Sequence, residues 1–196
     1  VRSLAAMDIK VVVDASPNSV TPELLSTRRQ KVMHVEEMAP DDIRALPDLQ
    51  QLFKVLDTAG LSKVVTDLLG GIPANFISLS SDVIGKDDVP TVVERFLAPM
   101  ITEVVSETRI MGTREPKFDK VFELLRDEAI GINPNELKKL GLELPSQCKV
   151  LRIREFLDGR KSLLVPSTPV AAFVFRHKCD EGEALGALHE LVQKAK

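Results

Sequence analysis

Asp8-Ile9-Lys10-Val11-Val12-Val13-Asp14-Ala15-Ser16-Pro17-Asn18 carries the first decisive signal of the chain. Its middle is too apolar for a surface strand and suits a parallel strand buried on both faces, which Ser16-Pro17-Asn18 stops abruptly. A polar side chain at the carboxyl end of such a strand stands where open α/β sheets bind ligands. The second signal is Gly70-Gly71-Ile72-Pro73, a turn that closes one helical stretch and opens another.

Between and beyond these two points the pattern is mostly helical. Thr21-Pro22-Glu23 opens a short helix, with Thr21 as cap and Pro22 at the first helical position, carrying Leu24 and Leu25 before Arg28-Arg29. Lys31-Val32-Met33-His34-Val35 reads as a second short strand. Ala39-Pro40-Asp41-Asp42 has an acid-rich start that suits the helix dipole, and Pro47 closes that helix. Leu49, Leu52, Phe53 and Leu56 recur at helical spacing up to Gly60, and Leu61, Val64, Val65, Leu68 and Leu69 up to Gly70.

Pro73 to Leu79 begins another helix, and the longest is expected over Val89 to Arg109 with a kink at Pro99. Gly112-Thr113-Arg114-Glu115-Pro116-Lys117 reads as a linker, dividing the chain into units 1–111 and 118–196. In the second unit Phe118, Val121, Phe122, Leu124 and Leu125 predict a helix. Asn133-Pro134-Asn135-Glu136 caps a shorter one ending at Gly141. Cys148–Phe156 and Lys161–Val165 flank Asp158-Gly159, a tight-turn dipeptide, and predict a hairpin; Glu181–Lys196 predicts a terminal helix.

Composition sets the outer limits. The 196 residues are 44% hydrophobic and 28% charged, an ordinary globular balance, and no apolar run approaches the roughly 20 residues that cross a bilayer. The apolar stretch after Val1-Arg2-Ser3-Leu4 is broken at once by Asp8 and Lys10, so this stretch is not expected to be a signal peptide, and a start at Val1 fits an excised or processed piece. Two cysteines, Cys148 and Cys179, make no disulfide framework and point to a reducing compartment, so an intracellular, cytoplasmic or nuclear location is expected, without a membrane. The net charge of −3 is uneven: Cys148 to Lys178 holds seven Lys and Arg against two acids, a local +5 that leaves −8 for the remainder.

The order of strand, Ser16-Pro17-Asn18, short helix, strand, helix pair, Gly70-Gly71-Ile72-Pro73 and helix resembles the back half of a STAND-type ATPase, the signal-transducing branch of P-loop NTPases. The resemblance covers roughly Asp8 to Ser80. It implies that Ser16 and Asn18 stand at the sensor position that reads the terminal phosphate or its attacking water, as neutral donors and acceptors. It also implies that Gly71-Ile72-Pro73 is the family's GxP lid, with Gly71 letting the backbone approach ATP and Pro73 packing on the adenine. Arg28 or Arg29 would be a phosphate-sensing arginine. Taken by themselves, Ser16-Pro17-Asn18 suits a turn, Gly71-Ile72-Pro73 a helix boundary, and the paired arginines a solvated surface. Within that branch, the acidic helix start after Met38 and the Leu164-Val165-Pro166-Ser167 strand end look most like crinkler effectors and retrotransposon-hot-spot proteins.

One departure matters. The chain has no G-x-x-x-x-G-K-[ST] loop and no apolar strand ending in paired acids, so the main binding energy for ATP is absent and hydrolysis by this chain alone is not expected. Adjacent carboxylates, Glu36-Glu37, Asp41-Asp42 and Asp87-Asp88, lie at strand ends and helix starts where dipole complementarity accounts for them; His177 and Cys179 lack the two further ligands of a structural zinc.

The fold class expected is thus α/β, mainly helical: a strand-ended piece of a P-loop NTPase with a helical lid, then a winged-helix-like α+β module. Its function would be to couple ATP state to a partner, either the remainder of an ATPase domain or another protein. The alternative is a nucleotide-independent winged-helix module, with Arg152, Arg154, Arg160 and Lys161 on nucleic-acid phosphates. Only weak nucleic-acid binding is expected, because Asn135 to Leu140 offers just Lys138 and Lys139 and the chain has no Trp or Tyr to stack on bases.

Overall fold

Glycine and proline punctuate the helices. The computed structural model describes residues 38–127, 131–145, 148–154 and 162–195, and over these the chain is mainly helical with one two-stranded antiparallel sheet. The parallel strand expected at Asp8–Ala15, the Thr21 helix, the Lys31–Val35 strand and the Asp158-Gly159 turn lie outside the described residues.

Helix α1 (Pro40–Arg44) starts on a proline whose missing N–H costs nothing there, carries Asp41 and Asp42 in its first turn and buries Ile43. A single 3₁₀ turn, Pro47–Leu49, follows. Helix α2 (Gln50–Thr58) buries Leu52, Phe53 and Leu56, and α3 (Ser62–Leu69) buries Val65, Leu68 and Leu69. Between them Gly60 has φ +71°, and a β-carbon there would collide with the Ala195 carbonyl oxygen, so the end of the chain closes onto the α2–α3 corner. Helix α4 (Pro73–Val83) turns Phe76, Leu79 and Val83 inward, and the Phe76 and Phe53 rings meet at 5.6 Å.

Helix α5 (Val89–Arg114) is the longest described element at 26 residues. The Asp88 side chain accepts from the Thr91 N–H at 3.3 Å and caps its start. It runs five residues past the expected Arg109 and through Gly112, and the next helix opens at Lys117, so of the segment read as a linker only Glu115 and Pro116 lie outside a helix. A helical glycine costs only about 1 kcal/mol. The break comes at Glu115, held extended at φ −147° and ψ 96° by the proline that follows it.

Helix α6 (Lys117–Asp127) buries Phe118, Val121, Phe122 and Leu125. Helix α7 (Asn135–Lys139) is entered through Asn133, whose side-chain oxygen accepts from the Asn135 N–H at 2.9 Å. Strands β1 (Leu151–Arg154) and β2 (Leu163–Pro166) pair antiparallel in the register Leu151 to Pro166 and Arg154 to Leu163, within the expected hairpin. On its other edge β2 bridges Ile132: the Ile132 N–H donates to the Leu164 carbonyl at 3.0 Å and the Leu164 N–H to the Ile132 carbonyl at 2.8 Å. Helix α8 (Pro169–Arg176), not assigned from the sequence, is capped by Thr168, whose hydroxyl accepts from the Ala171 N–H at 3.1 Å. Helix α9 (Glu181–Lys194) is capped by Asp180, which accepts from the Glu183 N–H at 2.8 Å.

Two apolar clusters result. One joins the buried faces of α1 to α5 with Val170, Phe173 and Val174 of α8 and Ala184, Leu188 and Val192 of α9. The other joins Met111, the α6 face, Ile132, Leu137, Leu151 and Leu164 with Ala171 and Phe175 of α8. Residues on both sides of Glu115-Pro116 therefore share the first core, through α8 and α9 packed along α5. Because α8 belongs to both clusters, Phe173→Ala and Phe175→Ala should each cost about 3–5 kcal/mol. Urea denaturation followed by circular dichroism should show each variant unfolding in one transition at a lower midpoint.

Candidate functional site

The Gly70-Gly71-Ile72-Pro73 turn is built by backbone sterics. Gly70 ends α3 at φ 66° and ψ −150°, a conformation that a β-carbon forbids, with its N–H on the Thr66 carbonyl at 3.0 Å. Gly71 is buried, and its carbonyl accepts from the Met38 N–H at 3.1 Å. Ile72 is extended at φ −105° and ψ 101°, its carbonyl accepts from the Asn75 N–H at 3.1 Å, and Pro73 supplies the preset φ of the first helical residue. Gly71 and Pro73 thus share one rigid turn, Pro73 half-buried and Ile72 at the surface. Ser16, Asn18 and Arg28, the other expected ATP contacts, lie outside the described residues.

Of the basic set, Arg152 and Arg154 alternate along β1 with Ile153, which is 37% exposed, between them; Arg160 and Lys161 lie outside the described residues. Neighbouring cations are already engaged. Lys149 sits 3.2 Å from both Glu103 and Glu107 of α5, which hold its ammonium above the usual lysine range, and Lys178 sits 3.0 Å from Glu183. These exposed pairs add little stability, yet they reduce the field this end offers to a polyanion.

A polar cluster not anticipated from the sequence lies at the corner of α1, α2 and α3. The Arg44 guanidinium donates to the Ser62 hydroxyl at 2.6 Å and to the Asp57 carboxylate at 2.7 Å, with its carbon 5.0 Å from the Phe53 ring centroid. Ser62 is one of only two buried polar side chains among the described residues. It opens α3 without capping it, because its hydroxyl faces Arg44. Pro40, Asp41, Arg44, Asp57, Ser62 and Lys63 line a cleft of about 460 Å³. Asp41, Asp57 and Asp67 against Arg44 and Lys63 leave it nearly balanced in charge, and Arg44 holds Ser62 and Asp57, so the cleft clamps a corner and makes no anion funnel. No local pattern announces it: Arg44 reaches its partners 13 and 18 positions away.

Among the described residues no group of three His, Cys, Asp or Glu is placed to hold a metal ion. Nor is any described helix long and apolar enough to cross a membrane. The His177 ring lies 4.6 Å from that of Phe173, and burial, followed by the charge of Arg176, pushes its pKa below the usual histidine value. Comparisons of the chain with protein-family models, with curated proteins and with solved structures give no match.

Burial raises both thiols, Cys148 in direction and Cys179 to about 11, the latter partly offset by its hydrogen bond with Thr108. The protonated form is the one the fold prefers, so stability is full below pH 9 and falls as pH rises toward 11. Alkylation of Cys179 by iodoacetamide, read by mass spectrometry, should accelerate about tenfold per pH unit up to pH 10 without levelling. A plateau near pH 9 would mean an ordinary exposed thiol.

Proposed function

We propose that the chain is the sensor and lid portion of a STAND-like ATPase, not catalytic alone, which couples ATP state to a partner through a winged-helix-like module. The observation that carries this reading is the Gly70-Gly71-Ile72-Pro73 turn. Its left-handed glycine, buried Gly71 and proline at the first residue of α4 follow two short helices, which is what a lid helix swinging about a fixed turn requires. The Met38 bond to Gly71 ties the preceding chain to that turn. ATP binding would need the phosphate loop from the remainder of an ATPase domain.

The C-terminal half supports the module part of the proposal. A helix, a strand-like residue Ile132, a short helix and a hairpin follow in order, with β2 lying between Ile132 and β1. That order suits a winged-helix sheet. The nucleic-acid alternative is less well served: no helix is found between Lys139 and Leu151 among the described residues, so nothing there presents a helix to a major groove. A protein partner is therefore preferred for this face.

Calorimetry with magnesium and ATP should give the isolated chain an affinity no better than about 1 mM, or about −4 kcal/mol. Micromolar binding would sink the half-ATPase reading. In a parent that carries the phosphate loop, Pro73→Ala should weaken binding, whereas Asn18→Ala should impair turnover more than affinity.

For the basic hairpin, a gel-shift series should show only weak, sequence-independent DNA binding that fades with salt, its logarithmic slope steepening by about 0.9 per phosphate contact. Tight, sequence-selective binding that persists in salt would instead promote the DNA-binding alternative.

A further inference from the structure

The sheet of the C-terminal half has one edge bridged by Ile132 and one that the described residues leave open. Ile132, β2 and β1 lie side by side in that order, so β1 forms the outer edge. Backbone direction alternates along a strand, and the bonds of Leu164 fix which residues of β1 look outward. Both the N–H and the carbonyl of Leu164 engage Ile132, so Leu164 and its β1 partner Ile153 make a pair without mutual hydrogen bonds. In such a pair the two backbones point away from each other, which aims the Ile153 N–H and carbonyl at the open edge. Val150 has the opposite phase, and its carbonyl accepts from the Ser167 N–H, just past β2, at 3.0 Å. The Leu151 carbonyl lies on the open edge with Ile153, whereas the Leu151 N–H turns back to the Cys148 sulfur. Among the described residues no backbone group pairs with Ile153 on that side.

Side chains then select the occupant. Ile153 shares its face with Leu151 and Leu164, both fully buried, yet is itself 37% exposed at the rim. Arg152 and Arg154 stand on the opposite face. The stretch from Val150 to Leu163 holds Arg152, Arg154, Arg160 and Lys161 against Glu155 and Asp158, a surplus of two positive charges. A second copy pairing antiparallel about Ile153 would set Arg152 opposite Arg154, and like charges directly opposite are destabilising. A DNA backbone offers acceptors alone and would leave the Ile153 and Leu151 carbonyls without donors. A peptide strand supplies both donors and acceptors.

We propose that the open edge of β1 accepts an extended segment of a partner protein as a further antiparallel strand, with an apolar residue opposite Ile153 and acidic residues opposite Arg152 and Arg154. The central residue of that segment exchanges both backbone bonds with Ile153, and the residue after its neighbour donates to the Leu151 carbonyl. This pairing needs no nucleotide, so its failure and that of the ATPase reading are separate outcomes.

Fluorescence polarisation on the full chain tests it, with a labelled peptide whose core is Thr-Glu-Val-Glu-Thr. This peptide should bind about tenfold more tightly than its Thr-Lys-Val-Lys-Thr counterpart. Methylating the amide nitrogen of the central valine keeps every charge but removes the donor to the Ile153 carbonyl, and should lower affinity about tenfold. Ile153→Pro removes the outward N–H and spares the bonds of Arg152 and Arg154 to β2, since an edge strand tolerates proline there. It should weaken binding as much, with an unchanged circular dichroism spectrum. Arg154→Glu should abolish the preference for the glutamate peptide. No binding at about 1 mM peptide, equal binding of the glutamate and lysine peptides, or equal binding of the methylated and plain ones would overturn the proposal. So would slow hydrogen exchange at the Ile153 amide of the free chain, which would mean an edge already covered, or a dimer in sedimentation that Ile153→Pro dissolves. A thymidine oligonucleotide that displaces the peptide and binds Ile153→Pro undiminished would assign the face to nucleic acid instead.

Discussion

Helix α8 is wedged between two cores, and the arrangement of the described chain depends on that wedge. Five of its eight residues, Val170, Ala171, Phe173, Val174 and Phe175, are buried, so it is apolar almost all the way round and has no stable place at a surface. Val170, Phe173 and Val174 face the helices of the first cluster, and Ala171 and Phe175 face the second, where the Phe175 and Phe122 rings stack at 5.2 Å. Burying a phenylalanine stabilises by about 1.5–3 kcal/mol, so this short helix holds the two halves together more firmly than the surface ion pairs do.

That wedge makes α5 a spine. Helix α4 packs on it from one side and α8 and α9 from another, while β2 leads directly into α8 through the Thr168 cap. Among the described residues, the Gly70–Pro73 turn and the β1–β2 pair are therefore connected through packed helices α4, α5 and α8. The polar clamp of Arg44, Asp57 and Ser62 fixes α1 against α2 and the start of α3.

Much of this was legible in the residues themselves. Gly60, Gly70 and Gly141 take positive φ near helix ends, and Pro40 and Pro73 open helices. Each follows from backbone sterics within a few residues, which is why a linear reading reaches them. The antiparallel pairing of β1 with β2 was legible from the strand patterning on either side of Asp158-Gly159, a turn that lies outside the described residues. The Gly70-Gly71-Ile72-Pro73 turn was too, since its glycines and proline act on their own backbone; Ser16, Asn18 and Arg28 fall outside the described residues.

What tertiary structure alone decided lies in contacts between distant residues. Val170 to Phe175 has no polar face and hence no helical period to read, although Thr168-Pro169 offers the same cap and first-turn proline as Thr21-Pro22. Helix α5 continues through Gly112 to Arg114, and Met111 in the same turn packs with the second core, so neighbours outweigh a small propensity cost. The pairing of Ile132 with Leu164, and of Arg44 with Ser62, depends on how whole elements are stacked. Sequence by itself determined where the chain turns and stops, because those constraints are local; packing determined which turns meet, because apolar burial is not directional and only the assembled fold chooses among the available partners.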